Sequence, residues 1–265
     1  MTSMSSSQAR PEMALTLSPL SIHHGPRPLV QEVSLSVPPA RLVTLVGQSG
    51  SGKSLTASAL AGTHLPGLRY SGGEVRSGGE VQSGGGVRLA HVLQNPRTAF
   101  NALMTMEAHA LETLATLGVR GATAQSRVDE ALTQVGLALE VKPLYPFELS
   151  GGMLQRMMIA IALLRKASFV IADEPTSDLD PRAQHRILTL LSELVHHHRL
   201  GVLLITHDLG VVAAFADEVH VMADGRLVES TTPELLFERP QSAAARDLLS
   251  AHRALYGEEG FHAGA

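Results

Sequence analysis

Eight consecutive residues, Gly47-Gln48-Ser49-Gly50-Ser51-Gly52-Lys53-Ser54, constrain the fold of this chain more than any other stretch. They follow a short apolar run, Leu42–Val46 (LVTLV), and precede a helical pattern over 53–61. A buried strand, a glycine loop and a helix in that order open an α/β unit. The loop fits G-x-x-x-x-G-K-[ST]. Its glycines let the backbone curl until successive N–H groups point at phosphate oxygens. The helix that follows adds the positive end of its dipole. In such a loop Lys53 reaches the β- and γ-phosphates of a nucleotide, and the Ser54 hydroxyl coordinates Mg²⁺. A chance turn in a chain with 24 glycines would not also place Lys-Ser between a correct strand and a correct helix.

Further apolar runs extend the pattern. Residues 90–93 read as a strand ending at Gln94. The character then changes: 106–117, 124–135 and 153–165 carry helical apolar spacing, so 95–166 is expected as a mostly helical insert forming a second lobe. Strand patterns resume at 169–172 (FVIA) and 202–206 (VLLIT). Asp180-Pro181 is a helix start, with Asp as N-cap and Pro at the first position. Residues 218–222 and 227–229 flank Ala223-Asp224-Gly225-Arg226, a hairpin signal, and Thr232-Pro233-Glu234 opens a short helix. Residues 71–88 form a near-repeat, SGGEVR, SGGEVQ, SGGGVR, expected as a glycine-rich β-meander turning at each Ser-Gly-Gly. Short apolar strands separated by helices predict a mainly parallel sheet covered on both faces.

Three other places carry chemistry. Asp173-Glu174 closes the apolar run at 169–172, and a strand's C-terminal tip is where ligands bind in open α/β sheets. There Asp173 would hold Mg²⁺, and Glu174 would polarise an attacking water as general base. Taken alone the pair also reads as a solvated acidic step into a loop. Ser150, Gly151 and Gly152 precede the helical pattern at 153–165, where a hydroxyl and two glycine N–H groups make a second anion site or an ordinary helix cap. One nucleotide does not need two such sites from one chain, so this loop is read as capping the γ-phosphate held by another subunit. His207 follows the strand at 202–206, in reach of a γ-phosphate and of Glu174. A lone histidine at a strand end is otherwise structural.

Composition removes several alternatives. Of the 265 residues, 44% are apolar and 17% charged, enough for a sizeable core. Lys plus Arg is 21 and Asp plus Glu is 25, a net charge of −4, which speaks against a dominant nucleic-acid footprint. There is no cysteine, which excludes disulfides, thiolate metal sites and cysteine nucleophiles. The longest wholly apolar runs fall well short of the ~18 residues that a membrane-spanning helix needs. The Ser-rich N-terminus has no apolar core of the kind a secretory signal carries. The 13 histidines include His196-His197-His198, read as the polar end of a helix rather than a metal site.

In order, the phosphate loop, Gln94, Leu149-Ser150-Gly151-Gly152, Asp173-Glu174, Ser177-Asp178-Leu179-Asp180 and His207 resemble the motifs of ATP-binding-cassette (ABC) ATPases. The resemblance covers roughly 15–240. It implies an ABC-type P-loop NTPase of α/β class, with a mainly parallel sheet core, an antiparallel β part and a helical subdomain. The domain boundaries it implies are a loose N-terminus at 1–12 and an ATPase domain at 13–240, followed by an extension at 241–265. Within the ATPase domain the core is 13–94 and 167–240, and the helical subdomain is 95–166. It implies ATP and Mg²⁺ as cofactors, with the nucleotide contacted by Gly47, Ser49, Gly50, Ser51, Gly52, Lys53, Ser54, Leu55 and Gln94. Mg²⁺ would be held by Ser54, Gln94 and Asp173. Glu174 would be the catalytic base and His207 the switch histidine. Ser150, Gly151, Gly152 and Met153 would form the signature loop acting on the other subunit's nucleotide. Asp178 and Asp180 would lie in the loop that communicates between subunits.

Residues 92–101, VLQNPRTAFN, and 144–160, LYPFELSGGMLQRMMIA, are similar to the peptide and nickel importer subfamily, the latter to its D-type nickel-import subunits. The resemblance implies an ATPase driving uptake of nickel or a metal–metallophore complex from the cytoplasmic face of the inner membrane, as a peripheral subunit. Its implied partners are a sister ATPase in a heterodimer, two membrane permeases and an extracytoplasmic binding protein, with no nucleic acid. The permease contact is expected around Pro96 to Glu107. Two departures stand out. Met153 replaces the polar residue usual after Leu-Ser-Gly-Gly, and no aromatic ring lies in 21–28 to stack on adenine, leaving His23 or His24 for that place. The same motifs also occur in the ATPase of an oligopeptide importer and in a soluble ABC ATPase of translation or repair, and the phosphate loop alone also suits a small-molecule kinase.

Overall fold

Alternating faces of short strands organise this molecule into two sheets with a helix between them and a helical lobe at one side. The computed structural model describes residues 14–77, 80–81 and 89–256. The expected loose N-terminus, 1–12, lies outside them, as do the third Ser-Gly-Gly unit and residues 257–265.

The first strands are β1 (Leu15–His24), β2 (Arg27–Val37) and β3 (Leu42–Val46), followed by helix α1 (Lys53–Leu60). Next come β4 (Arg69–Gly72), β5 (Val75–Ser77), β6 (Glu80–Val81) and β7 (Leu89–Val92). The helical lobe holds α2 (Met106–Thr116), α3 (Gly121–Gln134) and α4 (Gly151–Leu164). The chain returns to the core with β8 (Phe169–Asp173), α5 (Pro181–His198), β9 (Gly201–Ile205), α6 (Leu209–Phe215) and β10 (Glu218–Ala223). It closes with β11 (Arg226–Thr231), α7 (Pro233–Glu238) and α8 (Ala243–Tyr256).

The larger sheet has the order β11-β10-β3-β9-β8-β7. All neighbours from β10 to β7 are parallel, and only β11 runs antiparallel, as the hairpin signal at Asp224-Gly225 requires. Every residue of β3 and of β9 is buried, the mark of strands covered on both faces. The two faces follow the period of two. Leu203 and Ile205 of β9 pack with α1 and the antiparallel sheet of β1 and β2. Val202 and Leu204 pack on the other side with Leu154, Met157 and Leu191 of the helices. A third cluster seats α7 and α8 behind β10 through Leu236, Ala245, Leu249 and Val219.

The glycine repeat departs from expectation. The first Ser-Gly-Gly does not reverse the chain. Instead β4 and β5 lie in line along β1, both antiparallel to it, with Leu20 opposite Gly72 and Leu17 opposite Val75. The bend between them is bridged by Ser18 N–H to Glu74 O at 2.9 Å and Gly73 N–H to Pro19 O at 2.9 Å. A side chain at Gly72 would overlap the Pro19 carbonyl, so the repeat supplies close approach rather than a hairpin turn here. Between β5 and β6 the pairing is antiparallel, as a meander would have it.

Candidate functional site

The phosphate-loop sequence is pressed onto β10, and this contact explains its glycines. Gly47 has φ 153° and Gly52 has φ 108°, both in the region that side chains avoid. A Cβ on Gly47 would overlap the Met222 carbonyl oxygen, and one on Gly52 would sit 2.7 Å from the Met222 methyl. The loop is tied down further by Gly225 N–H donating to Ser51 O at 3.1 Å.

Inside this cradle Lys53 is buried, and its ammonium donates to Gly47 O at 2.8 Å and Gln48 O at 2.9 Å. Burial pulls its pKa below the ordinary lysine value, against the opposing pull of the Glu174 and Asp173 carboxylates. Next along the helix, the Ser54 hydroxyl donates to Asp173 Oδ1 at 3.2 Å. Burial pushes the Asp173 carboxyl upward, with Ser54, His91 and Lys53 pulling the other way. A desolvated cation and a desolvated carboxylate thus face the same spot, and their mutual attraction does not offset the cost of burying either charge. An anion at Lys53 and a cation at Asp173 would relieve both. The donors around the second position are the Ser54 hydroxyl and the Asp173 carboxylate, with Gln94 exposed just past the end of the neighbouring strand β7. These are hard oxygen groups of the kind Mg²⁺ takes together with substrate phosphates. The residues present therefore fit a magnesium-bound nucleotide. Among the described residues, no group of three or more His, Asp or Glu side chains forms a self-contained metal site, His196 to His198 included.

Glu174 follows directly after β8, with a φ of 43° that few non-glycine residues adopt. Its N–H donates to Ile205 O at 3.0 Å, which fixes the turn against the end of β9. Its side chain then meets His207, with Oε2 3.4 Å from Nδ1. The structure thus brings Lys53, Ser54, Asp173, Glu174 and His207 to one edge of the parallel sheet. Leu55, the next residue of α1 and half-buried, packs against the core between the sheets.

Ser150, Gly151, Gly152 and Met153 lie elsewhere. Ser150 caps α4, its hydroxyl accepting from Met153 N–H at 3.3 Å. Ser150, Gly151 and Gly152 line a concavity of about 220 Å³ with Asp178, Asp180 and Arg186, and it includes no residue of the phosphate loop. Asp180 caps α5 as the sequence predicts, accepting from Arg182 and Ala183 N–H at 3.0 Å each. Gln94 lines a second hollow, of about 210 Å³, with Gly151, Gln155, Pro175 and Asp178. His23 and His24 end β1, where it turns into β2, His23 opposite Arg69.

Sequence reasoning missed two residues here. Gln155 is 1% exposed, and its amide donates to the carbonyls of Leu93 and Gln94 at 3.0 and 3.3 Å, lashing the Gln94 segment to α4. A polar residue in the midst of the apolar spacing of 153–165 was the available signal. His91, on β7, faces the Asp173 neighbourhood, its pKa lowered by burial against the pull of Asp173. Nothing in the sequence marked it.

Comparison with known proteins agrees with this geometry. The family model described as ABC transporter matches residues 30–177. The nickel import ATP-binding protein NikD of Pseudomonas putida is 50% identical over 232 residues, 86% of this chain and 91% of that protein. NikD of Rhodospirillum rubrum is 48% identical over 251 residues, 93% and 95% of the two chains. Among solved structures, cbiO1 of Clostridium perfringens, part of the ABC transporter complex cbiONQ, superposes with a TM-score of 0.74 at 20% identity, covering 94% of this chain and 98% of that one. The ATP-binding cassette MJ0796, a dimer in a post-hydrolysis state bound to ADP and Pi, gives 0.70 at 24% identity, covering 83% and 98%. At those identities the two structures speak for the fold alone. The family pattern and the long, half-identical relatives establish the rest: this chain belongs to the ABC transporter family, among its ATP-binding subunits.

Proposed function

We propose that this chain is the ATP-hydrolysing subunit of an importer that takes up nickel or a metal–metallophore complex. The observation that carries the catalytic part is the single edge at which buried Lys53, the Ser54–Asp173 pair and the Glu174–His207 pair converge. The cargo reading rests on the relatives named for nickel import.

In this reading the loop N–H groups and Lys53 hold the β- and γ-phosphates, and Lys53 exchanges its two carbonyl partners for phosphate oxygens. Ser54, Asp173 and Gln94 hold Mg²⁺, which when bound offsets phosphate charge and orients the γ-phosphate. Glu174 takes a proton from the attacking water, an effect worth about 10²–10⁴ in rate. His207 keeps the Glu174 carboxylate aimed and donates to the γ-phosphate. The Ser150 loop, remote from the phosphate loop of its own chain, caps the nucleotide of a sister subunit, so that ATP draws the two together and product release parts them. Neither half of such an interface is complete alone.

Coupling to transport needs a contact with permeases. The helical lobe exposes Leu103 (86%) and Phe147 (67%), and Phe147 stacks on Tyr145 with ring centroids 5.6 Å apart. Apolar side chains this exposed, one shortly after Gln94 and one shortly before Ser150 in the chain, suit the permease contact. No described helix is long and apolar enough to cross a membrane, in keeping with a peripheral subunit at the cytoplasmic face. Cargo passes through the permeases and does not touch this chain.

The test is reconstitution in liposomes of the complex captured through this chain. ATP hydrolysis and uptake are measured with its binding protein loaded with nickel, with a nickel–metallophore complex or with oligopeptides. Stimulation by either nickel form supports the proposal. Stimulation by peptide alone replaces it with a peptide importer, and recovery of the chain with ribosomes instead of membranes rejects transport.

A further inference from the structure

One hydrogen bond joins the helix beneath the Ser150 loop to the turn that carries His207. Gln184, in the first turn of α5, donates from Nε2 to Asp208 Oδ2 at 3.1 Å. The remaining polar groups of Asp208 are engaged on the far side. Its Oδ1 accepts from Gly210 and Val211 N–H at 2.8 and 3.3 Å, capping α6, and its N–H donates to Thr206 Oγ1 at 3.0 Å. His207 sits between Thr206 and Asp208 and meets Glu174. Gln184 thus acts on the carboxylate that caps α6 just after His207, in a residue whose own N–H holds Thr206 just before it.

The other end of this linkage reaches the Ser150 loop by direct packing. A Cβ on Gly151 would lie 3.2 Å from Leu179 Cδ2, and one on Gly152 would lie 3.5 Å from Ala183 Cβ. The first turn of α4 therefore approaches the start of α5 most closely at Gly151 and Leu179, beside the concavity that the two segments share. Gln184 follows Ala183, and its N–H is held by Asp180 O at 2.9 Å. A push on the Ser150 loop reaches the segment that carries Gln184 at the Gly151–Leu179 approach, where close-packed atoms transmit displacement rather than absorb it.

We propose that Gln184 is a positioning residue that couples the two composite ATP sites. Through Asp208 it makes the placement of His207 against Glu174 depend on whether the Ser150 loop of the same chain is engaged by the sister subunit's nucleotide. This rests on the composite-site reading above and adds to it a route between the sites. A neutral amide suits the position. It donates to the carboxylate at any physiological pH, and a hydrogen bond to a charged acceptor is worth more than a neutral one.

The experiment compares Q184E, D208N and the double variant in the complex captured through this chain, reading ATP turnover against ATP concentration. Q184E sets two carboxylates face to face. It is expected to lower kcat by about 10-fold, as loss of one charge-assisted bond allows, with KM for ATP unchanged and the Hill coefficient falling toward one. In the double variant the amide introduced at position 208 keeps its oxygen on the α6 cap, a role asparagine fills as well as aspartate. Its NH₂ group then donates to the carboxylate introduced at position 184. Turnover and cooperativity should both return. Parent-like behaviour of Q184E overturns the proposal, as does a double variant no better than Q184E. So does recovery of thermal stability without recovery of the Hill coefficient, which would make the bond merely structural. E174Q, run in parallel, separates the two levels: parent-rate hydrolysis by E174Q would sink the catalytic reading itself, whereas a silent E174Q beside an unaffected Q184E removes only the role of Gln184.

Discussion

Replacing Lys53 by Met keeps the length of the side chain and removes its charge, and the structure sets what this should do with and without nucleotide. Without nucleotide, two carbonyl acceptors, Gly47 O and Gln48 O, lose their donor. Against that stands the removal of a buried cation whose charge burial disfavours. Each lost bond from the ammonium to a carbonyl costs about 1.5–3 kcal/mol, and relief of the cation's desolvation acts in the opposite direction, so the melting temperature of each unliganded protein is the baseline from which its nucleotide-induced shift is read. With nucleotide the balance changes. A bond from an ammonium to phosphate is worth about 1.5–3 kcal/mol, which weakens binding by roughly 10–150-fold. At MgATP one hundred times the parent Kd, the parent gains about 2.7 kcal/mol of stability and the variant about 0.3–1.4 kcal/mol. For a chain of this size that separates a melting shift of roughly 5–10 °C from one less than about half as large. Thermal unfolding with and without MgATP, beside calorimetric titration, reads both quantities. A K53M protein that keeps the full nucleotide-induced shift would refute the placement of phosphate at this cradle.

Glu174→Gln should bind ATP as the parent does while turnover in the assembled complex falls at least ~10²-fold; single-turnover phosphate release measures it. Gly47→Ala forces a methyl into the Met222 carbonyl, so loss of nucleotide binding should accompany a lower melting temperature, whereas Gly50→Ala, with open space around its Cβ despite a φ of 79°, should be milder in both assays. Glu229, 9% exposed, accepts from Gln241 and Ser242 N–H at the start of α8, with bonds as short as 2.8 Å. Burial alone would raise its carboxyl, but these N–H groups hold it below the ordinary value of 4.5. A depressed carboxylate stabilises the fold above its unfolded pKa and loses that contribution as pH falls through the folded one. E229Q should therefore be less stable than the parent at pH 7 by about 1–3 kcal/mol, the gap closing in acid; a gap that stays constant down to pH 3 would contradict the assignment.

Much of the nucleotide edge was legible because it is local in sequence. The strand, loop and helix from Leu42 to Leu60 are contiguous, and the Asp180-Pro181 cap appears as written. What was not legible depends on contacts between distant segments. The reason Gly47 must be glycine is the Met222 carbonyl, on a strand far along the chain. Alternation in β1 is broken by Pro19 and by register shifts near Leu20 and Ile22, so the first hairpin carried no clean strand signal. Helix α6 has 7 residues, too few for periodicity to announce it, and its Asp208 cap emerges only with the fold. The glycine repeat misled because Ser-Gly-Gly encodes close approach as well as turning, and the sequence does not say which strand will lie beside it. Gln155 and Gln184 work through side-chain amide hydrogen bonds, to carbonyls 61 and 62 residues away and to a carboxylate 24 residues away, which no local pattern records.

The most direct test of the composite-site account is the structure of the assembled transporter carrying E174Q, trapped with MgATP. The account predicts two nucleotides between the ATPase subunits. This chain would hold one by Lys53 and Ser54, and would place Ser150 within hydrogen-bonding distance of the γ-phosphate of the other. A triphosphate enclosed by this chain alone, with Ser150 facing solvent, would contradict it.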